Sequence, residues 1–130
     1  MRTSRRSDMV EITDRVQRIV ADAGLQEGVA VLQSLHTTAG LTINENADPD
    51  VRKDLESFFS RLVKDGDPLF RHDAEGPDDM PAHVRTVLTQ NSLSVPVKGG
   101  EASLGTWQGI YVWEHRTSPH HRRVTVSVLS

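Results

Sequence analysis

Apolar and polar residues alternate strictly over Leu93, Val95 and Val97, and again over Val124, Val126 and Val128. A period of two places every second side chain on one face of a sheet, so each stretch reads as a strand with one buried face. Between them, Lys98-Gly99-Gly100 supplies a turn and Thr106 to Glu114 a long aromatic strand. A sheet with one apolar face needs a covering layer, which the preceding sequence offers as helices. Helices come mostly early and hairpins late, the order of an α+β fold with a mostly antiparallel sheet and about three helices rather than of alternating βαβ units.

Thr13 is placed to cap a helix whose Val16, Ile19, Val20 and Ala23 recur at helical spacing, and Gly24 to end it. Val29 to Leu32 reads as a buried strand and Leu41 to Glu45 as a short one. Asp48 followed by Pro49 is a cap and a first-turn proline, opening a helix with Val51, Leu55, Phe58, Phe59 and Leu62 on one face. The stretch Asp67 to Asp79 is poor in apolar residues and turns at Gly76-Pro77, so it is expected as an exposed or cleft-lining loop. A third helix follows, capped by Asp79, with Met80, Val84, Val87 and Leu88 as its buried stripe and His83 at the stripe's edge.

A chain of 130 residues suits one domain spanning residues 1–130, with residues 1–8, including Arg2, Arg5 and Arg6, expected as a flexible solvated tail. The net charge of −3, with both signs interspersed, gives no basic field for a nucleic acid. No apolar run approaches the ~20 residues that a bilayer demands, and the start lacks a signal peptide's apolar core. The absence of cysteine excludes disulfides, thiolate metal sites and cysteine nucleophiles. These features point to a soluble cytoplasmic protein without nucleic-acid or membrane partners.

Six histidines is a high count, and His36, His72, His83 and His115 sit at element ends or in polar loops beside carboxylates. Asp79 and His83 stand four residues apart, on one side of a helix, where they can share a metal or a proton; a solvated pair has the same spacing. Glu45, Asp48, Glu75 and Asp78 offer acid and base groups if a cleft gathers them, while caps and turns use the same residue types. Gly105-Thr106-Trp107-Gln108-Gly109 brackets polar groups with glycines, which admits a close anion contact, a bulge or a tight subunit contact. Arg116 and Arg123 flank a turn and can pair with an anionic substrate, whereas His120 and His121 read as solvated turn residues.

The blocks from His36 to Asn46, Asp48 to Arg52, His72 to His83 and Gly105 to Ile110, with Glu114-His115-Arg116, together resemble the YjbQ family, the proteins called secondary thiamine-phosphate synthases. The match runs from about Val10 to Val128. It implies a small α+β homotrimer with a polar pocket at or near the subunit contacts, binding a small phosphorylated metabolite. The activity it implies is weak condensation of an aminopyrimidine diphosphate with a thiazole phosphate. On this likeness His36, Glu45, His72, Asp79, His83 and His115 are expected as catalytic residues. Thr38, Asn44, Glu75, Thr106, Gln108, Arg116 and Arg123 are expected to bind substrate. Loss of pyrophosphate calls for charge neutralisation, so a divalent metal, Mg or Zn, is expected on His72, Asp79 and His83. Relatives often carry Cys where this chain has Ala47, and their leading strand is shortened here into Met1 to Ser7. A non-catalytic metabolite- or metal-binding module and a metal-dependent hydrolase are the alternative readings of the same residues.

Overall fold

A computed structural model describes residues 1–6 and 8–130. Ser7, which falls in the expected tail and shortened leading strand, lies outside the described residues. Ten elements follow in order: β1 (Met9–Glu11), α1 (Thr13–Ala23), β2 (Glu27–Ser34), β3 (Ala39–Glu45), α2 (Pro49–Leu62), α3 (Asp79–Leu88), β4 (Ser92–Lys98), β5 (Glu101–Ala102), β6 (Gln108–Glu114) and β7 (Val124–Leu129). All strand pairs are antiparallel, in one sheet ordered β1-β6-β3 and another ordered β5-β4-β2-β7. This is the expected mixed α+β architecture, with the strands divided between two sheets.

The alternation read from the sequence does what its period demands. Leu93, Val95 and Val97 point inward along β4 and join Ala30, Leu32, Leu41, Ile110 and Val112 in one core. Helix α1 closes that core with Val16 and Val20, while Ile19 is left exposed. Gly24 ends the helix with φ 70, the left-handed cap that glycine adopts without a Cβ penalty. Thr13 does not cap α1: its hydroxyl donates to Glu11 at 2.8 Å and accepts from the Ile110 N–H at 2.9 Å, tying the helix start to the sheet. The opposite face of β6 packs Tyr111 and Trp113 with Met9 against Leu55 and Phe59 of α2. Strand β6 is therefore covered on both sides, and its residues from Gly109 to Glu114 are all buried.

Helix α2 opens as anticipated, with the Asp48 carboxylate accepting from the Asp50 N–H at 2.9 Å and Pro49 in the first turn. Phe58 and Leu62 stay exposed on it. In α3 the expected stripe is reversed. Val87 is 83% exposed and Leu88 is exposed, whereas Asp79, Arg85 and Thr86 are buried. Burial of Asp79 and Arg85 follows from charge partners on other elements, which stabilise them against the cost of leaving water. Asp78 stands at the cap position and makes no side-chain cap bond.

The first six residues are docked rather than trailing. The Met1 amino group donates to the Arg122 carbonyl at 2.8 Å, and the buried Thr3 hydroxyl to Glu114 at 2.5 Å. Arg6 is buried too, donating from Nε to the His115 carbonyl at 2.7 Å and gripping Asp65 with both terminal nitrogens. Charge-assisted bonds of this kind overcome the fraying that a polar terminus otherwise shows. Among the described residues, no helix is long and apolar enough to cross a membrane.

Candidate metal centre

Three side chains converge where the loop before α3 meets its first two turns. His72, Asp79 and His83 each offer a ligand atom, all lying within 4.8 Å of one another. Helical spacing puts Asp79 and His83 on one side of α3, with His83 Nε2 at 3.4 Å from Asp79 Oδ2. The loop returns His72 to the same oxygen at 2.6 Å, and the two imidazole rings meet edge to face with centroids 5.3 Å apart. Access is graded: the Asp79 side chain is 1% exposed, His83 30% and His72 48%. His72 also borders a cavity of about 440 Å³ enclosed by residues of the 66–81 segment.

Arg116 holds the carboxylates in place. Its NH1 lies 2.9 Å from Asp79 Oδ1, its Nε donates to Asp78 at 2.9 Å, and its NH2 donates to the Glu75 carbonyl at 2.9 Å. Asp78 also accepts from the Thr117 N–H and hydroxyl, at 2.9 and 3.0 Å. Burial pushes the Asp79 carboxyl toward protonation, but the hydrogen bond from His72 and the Arg116 charge outweigh it and hold the group below the usual carboxylate range. Asp78 is lowered more strongly, because the bonds from Arg116 and Thr117 overcome its burial. Arg116, in turn, holds its proton more tightly through its bond to Asp78. The result is an ionised carboxylate aimed at two imidazoles, a donor set that suits a divalent cation with positions left open for another ligand. Such a cation would take the place of the proton between His72 and Asp79.

The other expected site residues lie elsewhere. At the opposite end of the β3–β6 ladder, Glu45 is paired with Gln108 and Asn44 with Gly109. Six residue steps separate that end from Ala39 and Glu114, and at ~3.4 Å per residue the ends are about 20 Å apart. Glu45 accepts from the N–H groups of Ala47 and Asp48 at 2.6 and 2.7 Å, and Gln108 from the Gly105 N–H at 2.7 Å. Asn44 points its amide to the Met9 sulfur at 3.9 Å, and Thr106 is exposed in the turn. These residues close turns and loops. In the Gly105 to Gly109 segment Thr106 and Trp107 form a turn, and Gly109 is needed for close packing within the chain, since a Cβ there would meet Glu11 at 2.8 Å and Tyr111 at 2.9 Å.

A further group surrounds the buried pair Arg122 and Glu114. Arg122 donates from Nε to Glu114 at 2.9 Å and from NH2 to the Glu114 carboxylate and to the Thr38 hydroxyl and carbonyl. Thr38, expected to bind substrate, is thereby a buried acceptor in an ion-pair network. His36 Nε2 accepts the Arg123 N–H at 2.7 Å, so its lone pair is engaged, and burial with the Arg122 charge lowers its proton affinity. The Arg123 side chain is left to solvent. His115, expected as a catalytic group, is completely buried with neither ring nitrogen hydrogen-bonded. Burial and then the Arg85 charge push its pKa down to about 3, which keeps the ring neutral and away from any substrate.

The likeness of the whole chain to known proteins agrees with this architecture. Residues 1–130 match the family model described as UPF0047 protein YjbQ-like. The chain belongs to the YjbQ family. A UPF0047 protein of Synechocystis sp. is 47% identical over 114 residues, covering 88% of this chain and 78% of that protein. The UPF0047 protein YjbQ of Salmonella typhimurium is 42% identical over 118 residues, covering 91% and 83%. Among solved structures, an uncharacterized conserved protein of the yjbq/upf0047 family from Clostridium acetobutylicum matches with a TM-score of 0.83 and 35% identity, covering 99% of each chain. A YbjQ-like protein of unknown function from Sulfolobus solfataricus matches at 0.85 with 25% identity, covering all of this chain and 94% of that one.

Within this YjbQ chain, then, five of the expected residues gather: His72, Glu75, Asp79, His83 and Arg116. Arg116 belongs there as a clamp, since each of its nitrogens already faces a protein oxygen. Reading the sequence offered Asp78 as an acid or base group but not as the anchor of Arg116, and it passed over Arg85 and Arg122 as network residues. Nothing local distinguishes buried Arg122 from exposed Arg123, because their partners lie on other strands.

Proposed function

We propose that this protein binds a divalent cation, Mg or Zn, on His72, Asp79 and His83 and uses it to hold a small phosphorylated metabolite. One observation carries the reading: two partly accessible imidazoles converge on one buried, ionised carboxylate, with all three ligand atoms inside 4.8 Å. When bound, the cation would neutralise charge on a phosphate or diphosphate. Asp79 and Arg116 keep the donors oriented, and His83 and His72 leave the outer side open to solvent. On this reading the reaction class is the one implied by the family likeness, transfer with loss of pyrophosphate from an aminopyrimidine diphosphate to a thiazole phosphate, carried out in the cytoplasm.

A second reading, a binding module without turnover, is favoured by the burial of His115 and the engagement of His36, which remove two expected proton-transfer groups. Assembly as a homotrimer would serve either reading. It would let the Glu45 and Gln108 end of one subunit approach the His72, Asp79 and His83 cluster of the next; within one chain that end lies about 20 Å along the ladder from Glu114, which leads to Arg116. The exposed Phe58, Leu62, Leu69, Val87 and Leu88 support such contacts.

Metal analysis of untagged protein, followed by assay of pyrimidine diphosphate and thiazole phosphate with chelator and with metal restored, tests the proposal. The expected outcome is one stoichiometric divalent ion, lost in His83→Ala, and turnover that follows metal content. Stoichiometric metal without turnover selects the binding module. Absence of tight metal binding in the wild type, with His83→Ala unchanged, overturns the metal centre itself.

A further inference from the structure

A cavity of about 680 Å³ lies between the N-terminal segment and the first half of α2, lined by Arg2, Thr3, Ser4, Asp8, Met9, Val10, Pro49, Arg52, Lys53 and Glu56. Its acids are neutralised from within the protein. Glu56 accepts from the buried Arg85 at 3.1 Å, and Asp8 faces Arg5 at 3.7 Å. Two of its three cations are not. Among the described residues no carboxylate lies within ion-pair distance of Arg2 or Arg52, and Lys53 reaches only Asp50, at 4.0 Å. Arg52 is nonetheless held in position, its guanidinium stacked over the Tyr111 ring at 5.6 Å. Positive charge thus stands uncompensated around one cavity, in a protein whose net charge is −3.

Apolar surface completes the cavity wall. Met9 is buried in the layer between β6 and α2, with Pro49 at the start of α2 beside it, while Val10 turns its side chain to the other core. An inorganic anion would use only the cations, whereas an organic phosphate would also cover the apolar side chains, and the volume is that of a small-molecule site. We infer that this groove is a second ligand site, specific for a small phosphomonoester with an apolar or aromatic body, held by Arg2, Arg52 and Lys53. The inference is independent of the metal centre, because none of these residues belongs to it.

Titration of the full chain with phenyl phosphate, in chelator and at low salt, tests the site, with inorganic phosphate and phenol as the comparison probes. Phenyl phosphate is expected to bind more tightly than either comparison probe, and more weakly as salt rises. The double variant Arg52→Gln/Lys53→Gln is expected to weaken binding by at least about tenfold, since each lost charge-assisted bond is worth a sizeable part of that factor. His83→Ala is expected to leave it unchanged. Lys53 is exposed and Arg52 half-buried over Tyr111, so a melting curve checks that the double variant remains folded. Equal binding by wild type and double variant overturns the inference, as does binding abolished by His83→Ala, which would place the anion at the metal centre. Failure of metal to bind, by contrast, would leave the groove result standing.

Discussion

His115 is the residue whose environment departs furthest from its chemistry. An imidazole with no hydrogen bond and no exposure is held neutral by burial and by Arg85, with Arg6, Arg122 and Glu114 as its other charged neighbours. Its pKa falls from an ordinary 6.5 to about 3 on folding. Between those values the unfolded chain takes up a proton that the native protein refuses. The stability contribution is therefore complete above pH 6.5 and is lost progressively as the pH falls. By pH 5 the loss from this residue is about 2 kcal/mol, at ~1.4 kcal/mol per pH unit. Asp78, Asp79 and Glu114 have lowered values as well, so their losses begin only below their ordinary values of 3.8 to 4.5. Urea unfolding at pH 7 and pH 5 isolates the histidine: His115→Gln should lose about 2 kcal/mol less than wild type between the two conditions. An identical loss in both proteins would show that the buried ring does not titrate with unfolding.

At the scale of elements, legibility divides along the kind of force involved. The alternation of β4, the Asp48-Pro49 start of α2 and the Gly24 stop of α1 could all be read in advance, because each is decided by residues a few positions apart. The inward face of α3 could not, because Arg85 is buried through Glu56, 29 residues away, and Asp79 through Arg116. The His72, Asp79 and His83 cluster was readable in part: the four-residue spacing puts Asp79 and His83 on one side of the helix, while His72 and the Arg116 clamp reach them from outside it. Close approach of elements is likewise invisible until they meet. At Gly40 in β3 an added methyl would sit 2.5 Å from the Gln90 carbonyl oxygen, which accepts the Leu41 N–H at 2.7 Å. The atoms in the way are Gln90 backbone, held by that hydrogen bond, with the buried His115 ring at 3.6 Å, so Gly40→Ala should cost about 2–3 kcal/mol. Gly24→Ala has open space around it and suffers only from its φ of 70, a cost of about 1 kcal/mol. Denaturation midpoints that ranked the two substitutions equally would show that β3 can shift away from Gln90.

For the whole molecule, the apolar side chains that fail to find the core carry the argument. Pattern reading assigned Phe58 and Leu62 to the buried face of α2 and Val87 and Leu88 to that of α3, and the folded chain leaves all four exposed. The core is already filled without them: α2 contributes Leu55 and Phe59 to the layer over Tyr111 and Trp113, and α3 turns Ala82 and Arg85 inward. Exposing large apolar groups on two helices and on the loop at Leu69 costs free energy that contact with further copies of the chain would recover. Charging that surface should therefore separate assembly from folding. Phe58→Asp combined with Val87→Asp alters two exposed side chains, so the isolated chain should keep its melting behaviour to within about 1 kcal/mol. Sedimentation should find wild type at a multiple of 14.4 kDa, three if the trimer is right, and the double variant at 14.4 kDa. If assembly completes the metal centre with the Glu45 and Gln108 end of a neighbour, the dissociated variant should still bind its cation on His72, Asp79 and His83 but lose affinity for the phosphorylated ligand. A monomeric wild type at micromolar concentration, or a double variant that assembles unchanged, would remove subunit contact as the explanation for these exposed faces.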